Sequence, residues 1–215
     1  MKRKTQKKLV VFVCTGNTCR SPMAEALFKK RAQELGLKKL KVSSAGTRAV
    51  AGDSLNEKSA TVLAEKGVVL KKFASKPVDE KMLVDSLAVV CMTDAQRDFL
   101  MDMRWRALRT AGEEDIENNI YSFSELVGYE VIDPYGRDID CYRYVYELIA
   151  DGVHTVMDKL VPPSIRDKFI EKPRKPRAPK AENKSTAKKT KSASAGKTAA
   201  DKNKKREKPQ KEKQL

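Results

Sequence analysis

The chain has 215 residues and a net charge of +16, and the charge sits at its two ends. Residues 1–8 carry +5, residues 171–215 hold 17 Lys and Arg against 5 Asp and Glu, and residues 9–170 are left at −1. No run of about 18 apolar residues occurs, which excludes a membrane-spanning helix, while a near-neutral middle of roughly 160 residues can bury about 70% of its unfolded surface as one domain. The apolar residues after the basic N-terminus are too few for a signal-peptide core and no cleavage site follows, so a cytoplasmic chain is expected. Cys14, Cys19, Cys91 and Cys141 show no C-x-x-C metal spacing and suit a reducing compartment.

In chain order, residues 9–13 are a continuous apolar run, the pattern of a central parallel strand buried on both faces. Residues 22–35 read as a helix with Ala24, Leu27, Phe28, Ala32 and Leu35 on one face. Pro22 suits a first helical turn, and Gly36 suits a C-cap. Residues 40–44 alternate as a short strand ending at Ala45-Gly46, residues 57–66 are helical with Gly67 as the stop, and residues 79–84 form a short helix. A second buried strand covers 87–92, a helix 94–103 and a short strand 120–123. A loop holding Asp133-Pro134-Tyr135-Gly136 precedes a long last helix over 142–160. Strands alternating with helices predict an α/β fold with a parallel sheet and right-handed crossovers. After Ile170 the only large apolar residue is Leu215, and the segment is rich in Lys, Pro, Ala, Ser and Thr. Such a segment cannot offset chain entropy by burial, so a disordered tail over 171–215 is expected behind a domain over 9–170 and a leader over 1–8.

The stretch Val13-Cys14-Thr15-Gly16-Asn17-Thr18-Cys19-Arg20-Ser21-Pro22 lies between the first strand and the first helix. Backbone N–H groups of a tight, Gly-containing turn through Thr15, Gly16, Asn17, Thr18 and Cys19 to Arg20 make an anion-binding nest. The helix that follows adds free N–H groups and the positive end of its dipole. That field favours the thiolate form of Cys14 near neutral pH. Arg20, six residues on, can curl over the loop and grip two oxygens of a phosphoryl group with its planar fork. Nucleophile, nest and guanidinium then converge on one phosphate.

The run from Cys14 to Glu25 resembles the signature of the low-molecular-weight protein-tyrosine-phosphatase family, and the likeness continues at Ser43-Ser44-Ala45-Gly46-Thr47 and Asp133-Pro134-Tyr135. It covers essentially all of 9–160. It implies a four-stranded parallel sheet flanked by helices and hydrolysis of phosphorylated proteins without metal or cofactor. It also implies roles: Cys14 attacks phosphorus, Arg20 binds the phosphoryl oxygens, and Asp133 protonates the leaving group and then activates water. Asn17 and Ser44 correspond to a pair buttressing the loop, and Ser21 to a hydroxyl that stabilises the thiolate. Cys19 matches a second cysteine that can trap the oxidised nucleophile as a disulfide; it also reads as a small apolar loop residue.

Two features bear on the substrate. Thr18 stands where tyrosine-directed relatives often carry a larger aliphatic residue, and the arginine-phosphatase branch carries Thr. Gly136 follows Tyr135 where tyrosine-directed eukaryotic members have a second aromatic. The expectation is phosphoarginine, with phosphotyrosine as the alternative and Thr18 and Tyr135 as specificity residues. Asp138 or Asp140 could offer a counter-charge to a guanidinium, or could equally cap the last helix. Arsenate reductases share the scaffold but need a late cysteine pair, whereas Cys91 and Cys141 lie far apart. The basic tail suggests a polyanion or nucleic acid as a separate partner. His154 reads as a surface residue, Cys91 as core, Trp105 as an aromatic packed at a helix end, and Glu113-Glu114-Asp115 as a solvated loop.

Overall fold

The computed structural model describes residues 7–68, 70, 72–112 and 117–171. The chain divides into two units, Met1–Pro173 and Arg174–Leu215, and the described residues all belong to the first. Most of the basic leader, the basic tail beyond Glu171 and the Glu113-Glu114-Asp115 run lie outside the described residues.

Four strands, β1 (Leu9–Cys14), β2 (Lys41–Gly46), β3 (Ala88–Cys91) and β4 (Ile120–Ser122), pair in the order β2-β1-β3-β4, every pair parallel. Among the described residues seven α-helices connect and follow them: α1 (Arg20–Glu34), α2 (Glu57–Glu65), α3 (Glu80–Asp85), α4 (Asp94–Ala111), α5 (Phe123–Val127), α6 (Ile139–Leu160) and α7 (Pro163–Arg166), with a 3-10 turn at Asp167–Phe169. Parallel neighbours require crossovers, and the helices that make them cover both faces. β1 explains its own composition. Val10 and Phe12 enter a core with Phe28 of α1 and Val145 and Ile149 of α6, while Val11 and Val13 enter the opposite core with Leu83 and Leu100. All four side chains are fully buried. A strand with no solvated face has no place for a polar residue, and each such side chain contributes about 1.5–3 kcal/mol by burial. The Phe12 and Phe28 rings meet edge-on at 5.2 Å.

The register decides where the chemistry sits. Cys14 pairs with Gly46 across β1 and β2, and Val13 with Cys91 across β1 and β3. The carboxyl ends of the two central strands therefore meet at the point where the strand order reverses, the usual crevice of an open α/β sheet.

Several elements differ from the sequence reading. α1 begins at Arg20 rather than Pro22, with Cys19 at the N-cap, so Arg20 and Ser21 are already helical. α4 runs to Ala111 rather than Met103, ending where Gly112 takes φ 66. Its second half hid its inner face, because Arg104 and Leu108 are buried among exposed basic neighbours. Trp105 is accordingly not packed at a helix end: it is half exposed, and the Arg109 guanidinium lies 5.1 Å from its ring. α5 went unread; Ser122 and Glu125 form a reciprocal capping box that starts it. α6 begins at Ile139, three residues before Tyr142, because Asp138 caps it by accepting from Cys141 N–H at 2.9 Å. His154 is exposed as expected. Among the described residues no helix is long and apolar enough to cross a membrane.

Candidate active site

Residues 15–19 join the end of β1 to the start of α1, and three of the carbonyls at that junction are tied to the segment after β2. Cys14 C=O accepts from Thr47 N–H at 2.9 Å, Thr15 C=O from Arg48 N–H at 2.9 Å, and Thr18 C=O from Asn56 N–H at 3.0 Å. Asn17 N–H points inward and donates to Cys14 Sγ at 3.3 Å. The bend falls at Asn17, whose φ is 55, and not at Gly16, where an added Cβ would meet only Thr18 Oγ1 at 3.5 Å. Asparagine tolerates that left-handed backbone better than most residues. The indispensable glycine is Gly46 on the next strand: a Cβ there would stand 2.5 Å from Thr15 O and 2.9 Å from Asn17 N.

A buried polar network holds the loop from behind. The fully buried Asn17 side chain donates to Ser21 Oγ at 3.0 Å and to Ser44 Oγ at 2.9 Å, and its Oδ1 accepts from Lys76 N–H at 3.0 Å. Ser44 in turn donates to Glu25 at 2.7 Å. Ser21 Oγ lies 3.0 Å from Cys14 Sγ and 3.2 Å from Ala45 O, two takers for one hydroxyl proton. A thiolate at Cys14 makes the sulfur the stronger of the two, because hydrogen bonds to charged acceptors are stronger. The sequence reading missed Gln96 on α4. Its amide accepts from Met92 N–H at 3.1 Å and donates to Thr15 Oγ1 at 3.1 Å, bridging the end of β3 to the loop.

Arg20 is almost fully buried. Its Nη1 donates to Val131 O at 3.1 Å and its Nη2 to Asp133 Oδ2 at 2.5 Å. Its Nε is buried with no hydrogen-bond partner among the described residues. Asp133, half exposed, also accepts Tyr135 N–H at 3.2 Å through Oδ1, which orients the carboxylate over the loop. Cys14, Arg20, Asp133 and Tyr135 thus come together from β1, α1 and the segment before α6. They line a cavity of about 460 Å³ together with Thr15, Gly16, Thr18 and Cys19.

The same cavity is walled by Arg48, Val50, Asp53, Ser54 and Asn56, none singled out from sequence. They arrive because Gly46 ends β2 beside Cys14. Asp138 and Asp140 do not line it: the first caps α6 and the second pairs with Arg143 at 2.7 Å. Cys19 Sγ lies 3.6 Å from Tyr142 Oη, whose phenol burial pushes up, with the hydrogen bond to Cys19 adding to the shift. Cys91 is fully buried and its thiol is pushed up by burial, which makes it an inert core group.

The family model for low molecular weight phosphotyrosine protein phosphatase matches residues 9–163. The chain is 34% identical over 154 residues to a protein-arginine-phosphatase of Bacillus subtilis, covering 70% of this chain and 95% of that one. It is 32% identical over 144 residues to the low molecular weight protein-tyrosine-phosphatase PtpB of Staphylococcus haemolyticus, covering 64% and 89%. Among solved structures it resembles the arginine phosphatase YwlE of Geobacillus stearothermophilus, with a TM-score of 0.60, 27% identity and coverage of 71% and 92%.

Proposed function

The chain belongs to the low molecular weight phosphotyrosine protein phosphatase family, and from that membership, which makes it a cysteine-dependent protein phosphatase, we propose that its preferred substrate is phosphoarginine in proteins. In this reading the Cys14 thiolate attacks phosphorus along the axis of the loop. The S–P bond forms as the P–N bond breaks, and Asp133 gives its proton to the departing guanidine nitrogen. Water then attacks phosphorus, Asp133 takes its proton, and the S–P bond breaks to return the thiolate and free phosphate. The loop amides and Arg20 hold the three equatorial oxygens throughout, Nε being the donor without a partner in this structure. Arg20 holds Asp133 here, so the carboxylate exchanges that contact for the substrate on binding.

The carrying observation is the polarity of the pocket wall. Thr18 and Asp53 line the cavity, and Tyr135 is the one aromatic among its lining residues. A guanidinium keeps its positive charge through most of the reaction. It is stabilised by the Asp53 carboxylate, which has no ion pair among the described residues, and by the face of one ring. An all-hydrocarbon wall would cost that charge its solvation. The likeness to relatives named tyrosine phosphatases favours phosphotyrosine as the second reading.

The test is turnover of phosphoarginine and phosphotyrosine peptides of identical flanking sequence. Wild type is expected to favour phosphoarginine in kcat/KM, and Thr18→Ile to move the ratio toward phosphotyrosine by roughly 10- to 200-fold, the range of one wall contact. A wild-type preference for phosphotyrosine refutes the arginine assignment. Appreciable turnover in Cys14→Ser refutes the mechanism itself.

A further inference from the structure

A second cavity, of about 750 Å³, adjoins the catalytic pocket and shares Thr15, Arg20, Arg48 and Asp133 with it. Its own walls are unlike the first. Phe99 on α4 and Ile132, the neighbour of Asp133 in the chain, line it, and these large apolar side chains are 55% and 49% exposed. Neither contributes to either core. Arg48 stands where the two cavities meet, exposed, and has no ion pair among the described residues. Of the two carboxylates in the lining, Asp133 is paired with Arg20 and Glu130 accepts from Asp94 N–H at 2.6 Å; Arg48 is the lining cation without an ion pair among the described residues.

We propose that this second cavity is a substrate subsite that receives the polypeptide flanking the phosphorylated residue. It takes an apolar side chain between Phe99 and Ile132 and an acidic side chain against Arg48. The proposal rests on the phosphatase reading of the first cavity and extends it. A phosphorylated side chain reaching Cys14 brings its backbone to the rim formed by Asp133 and Arg48, and an extended peptide advances about 3.3 Å per residue. Residues within two or three positions of the phosphorylated one therefore lie over the second cavity. Continuity through four shared residues argues for the substrate's own chain as the occupant, and the cation at the seam argues for an acidic flank.

The test uses the full chain with two kinds of substrate. p-Nitrophenyl phosphate reads the catalytic pocket alone. A set of phosphopeptides varies the flanking positions, Leu against Lys and Glu against Lys, on both sides of the phosphorylated residue. Peptides with an apolar and an acidic flank are expected to show kcat/KM about 10-fold above the all-Lys versions, an effect of the size of one apolar contact. Phe99→Ser is expected to erase the Leu advantage through KM and to leave p-nitrophenyl phosphate turnover within twofold. Arg48→Glu is expected to invert the Glu-to-Lys ratio measured within that variant. Turnover of the small ester with kinetics indifferent to the flanks refutes the subsite alone. A flank preference that appears only at protein concentrations where the chain self-associates assigns the face to a second copy and refutes it as well. Absence of turnover of both the ester and the phosphopeptides in wild type refutes the phosphatase reading, and the subsite with it.

Discussion

Gly46→Ala is the sharpest probe of how the phosphate loop is held, because it alters a residue that carries no chemistry. The new Cβ would stand 2.5 Å from Thr15 O and 2.9 Å from Asn17 N, with the Ala49 Cβ also at 2.9 Å. Two of the three obstacles are backbone atoms of the loop, so no side chain can rotate away. Overpacking of this kind costs about 1–3 kcal/mol, and relief by moving the loop displaces the amides that the proposed mechanism assigns to the phosphate. A misplacement of about 1 Å costs on the order of 100-fold in rate. The expected result is a kcat/KM for p-nitrophenyl phosphate about 100-fold below wild type, together with weaker competitive inhibition by inorganic phosphate. Gly152→Ala is the control. Its Cβ would drive into the Phe123 ring and stand 3.1 Å from Tyr129 Oη, in the core beneath α6 and away from the loop. That variant is expected to lose a similar amount of thermal stability while its folded fraction keeps wild-type kcat. If Gly46→Ala folds and retains kcat/KM and phosphate inhibition within threefold of wild type, the loop is not held in place by the close approach of β2.

Four further outcomes are expected. Asp133→Asn should slow substrates with poor leaving groups far more than those with good ones, giving a steeper dependence of kcat on leaving-group pKa; an unchanged slope removes Asp133 as the acid. Mild peroxide should inactivate reversibly, a Cys14 sulfenic acid losing water to the Cys19 thiol as a disulfide, and Cys19→Ala should instead become irreversibly oxidised; peptide mapping that finds Cys14 unpaired counts against this. Burial pushes the Cys91 thiol well above the usual range, so its contribution is complete below about pH 8.5, where the unfolded thiol ionises, and is lost as pH rises from there. Between pH 7.5 and 10 wild type should lose about 2 kcal/mol more in urea unfolding than Cys91→Ala does, and parallel losses in the two proteins contradict the assignment. Truncation after Ile170 should leave p-nitrophenyl phosphate kinetics unchanged and abolish salt-sensitive retention on a DNA column; equal retention of both forms rules out the tail as a polyanion-binding segment.

What the sequence disclosed and what it withheld follow from the range over which each feature is determined. The apolar run of β1 was legible because burial on both faces leaves no polar position. The loop from Cys14 to Arg20 was legible because strand, loop and helix are covalently consecutive. α4 was underestimated because its buried face after Met103 includes Arg104, which hides the period among basic neighbours. Gln96 stayed invisible, and Gly46 was legible as a strand end but not as the residue that holds the loop, for a different reason. Each acts on the loop only through the parallel register that brings β2 and β3 beside β1, with Cys14 opposite Gly46 and Val13 opposite Cys91. The likeness to known phosphatases supplied Ser44, because that contact crosses the same register. The motif that carries the likeness on β2 ends at Thr47, so it did not reach Arg48 or Asp53.

That division separates two kinds of residue with different kinetic signatures. Cys14, Arg20, Asn17, Ser21, Ser44 and Gln96 are all buried or joined to the loop by hydrogen bonds from secondary structure. In the proposed mechanism, changing any of them alters the loop that receives the phosphoryl group, which every substrate shares, so all substrates are expected to suffer together. Arg48, Asp53 and Tyr135 are exposed, on connections that follow β2 or precede α6. They meet only what lies beyond the phosphorus atom, so their substitution changes the ratio between substrates more than the rate of the best one. The phosphoarginine assignment therefore rests on this exposed set together with half-buried Thr18 at the cavity wall. An Asp53→Asn variant makes the point in one measurement: kcat/KM for a phosphoarginine peptide should fall about 10-fold while that for the phosphotyrosine counterpart holds within twofold. Equal losses on both would place Asp53 with the loop and take away the guanidinium's counter-charge.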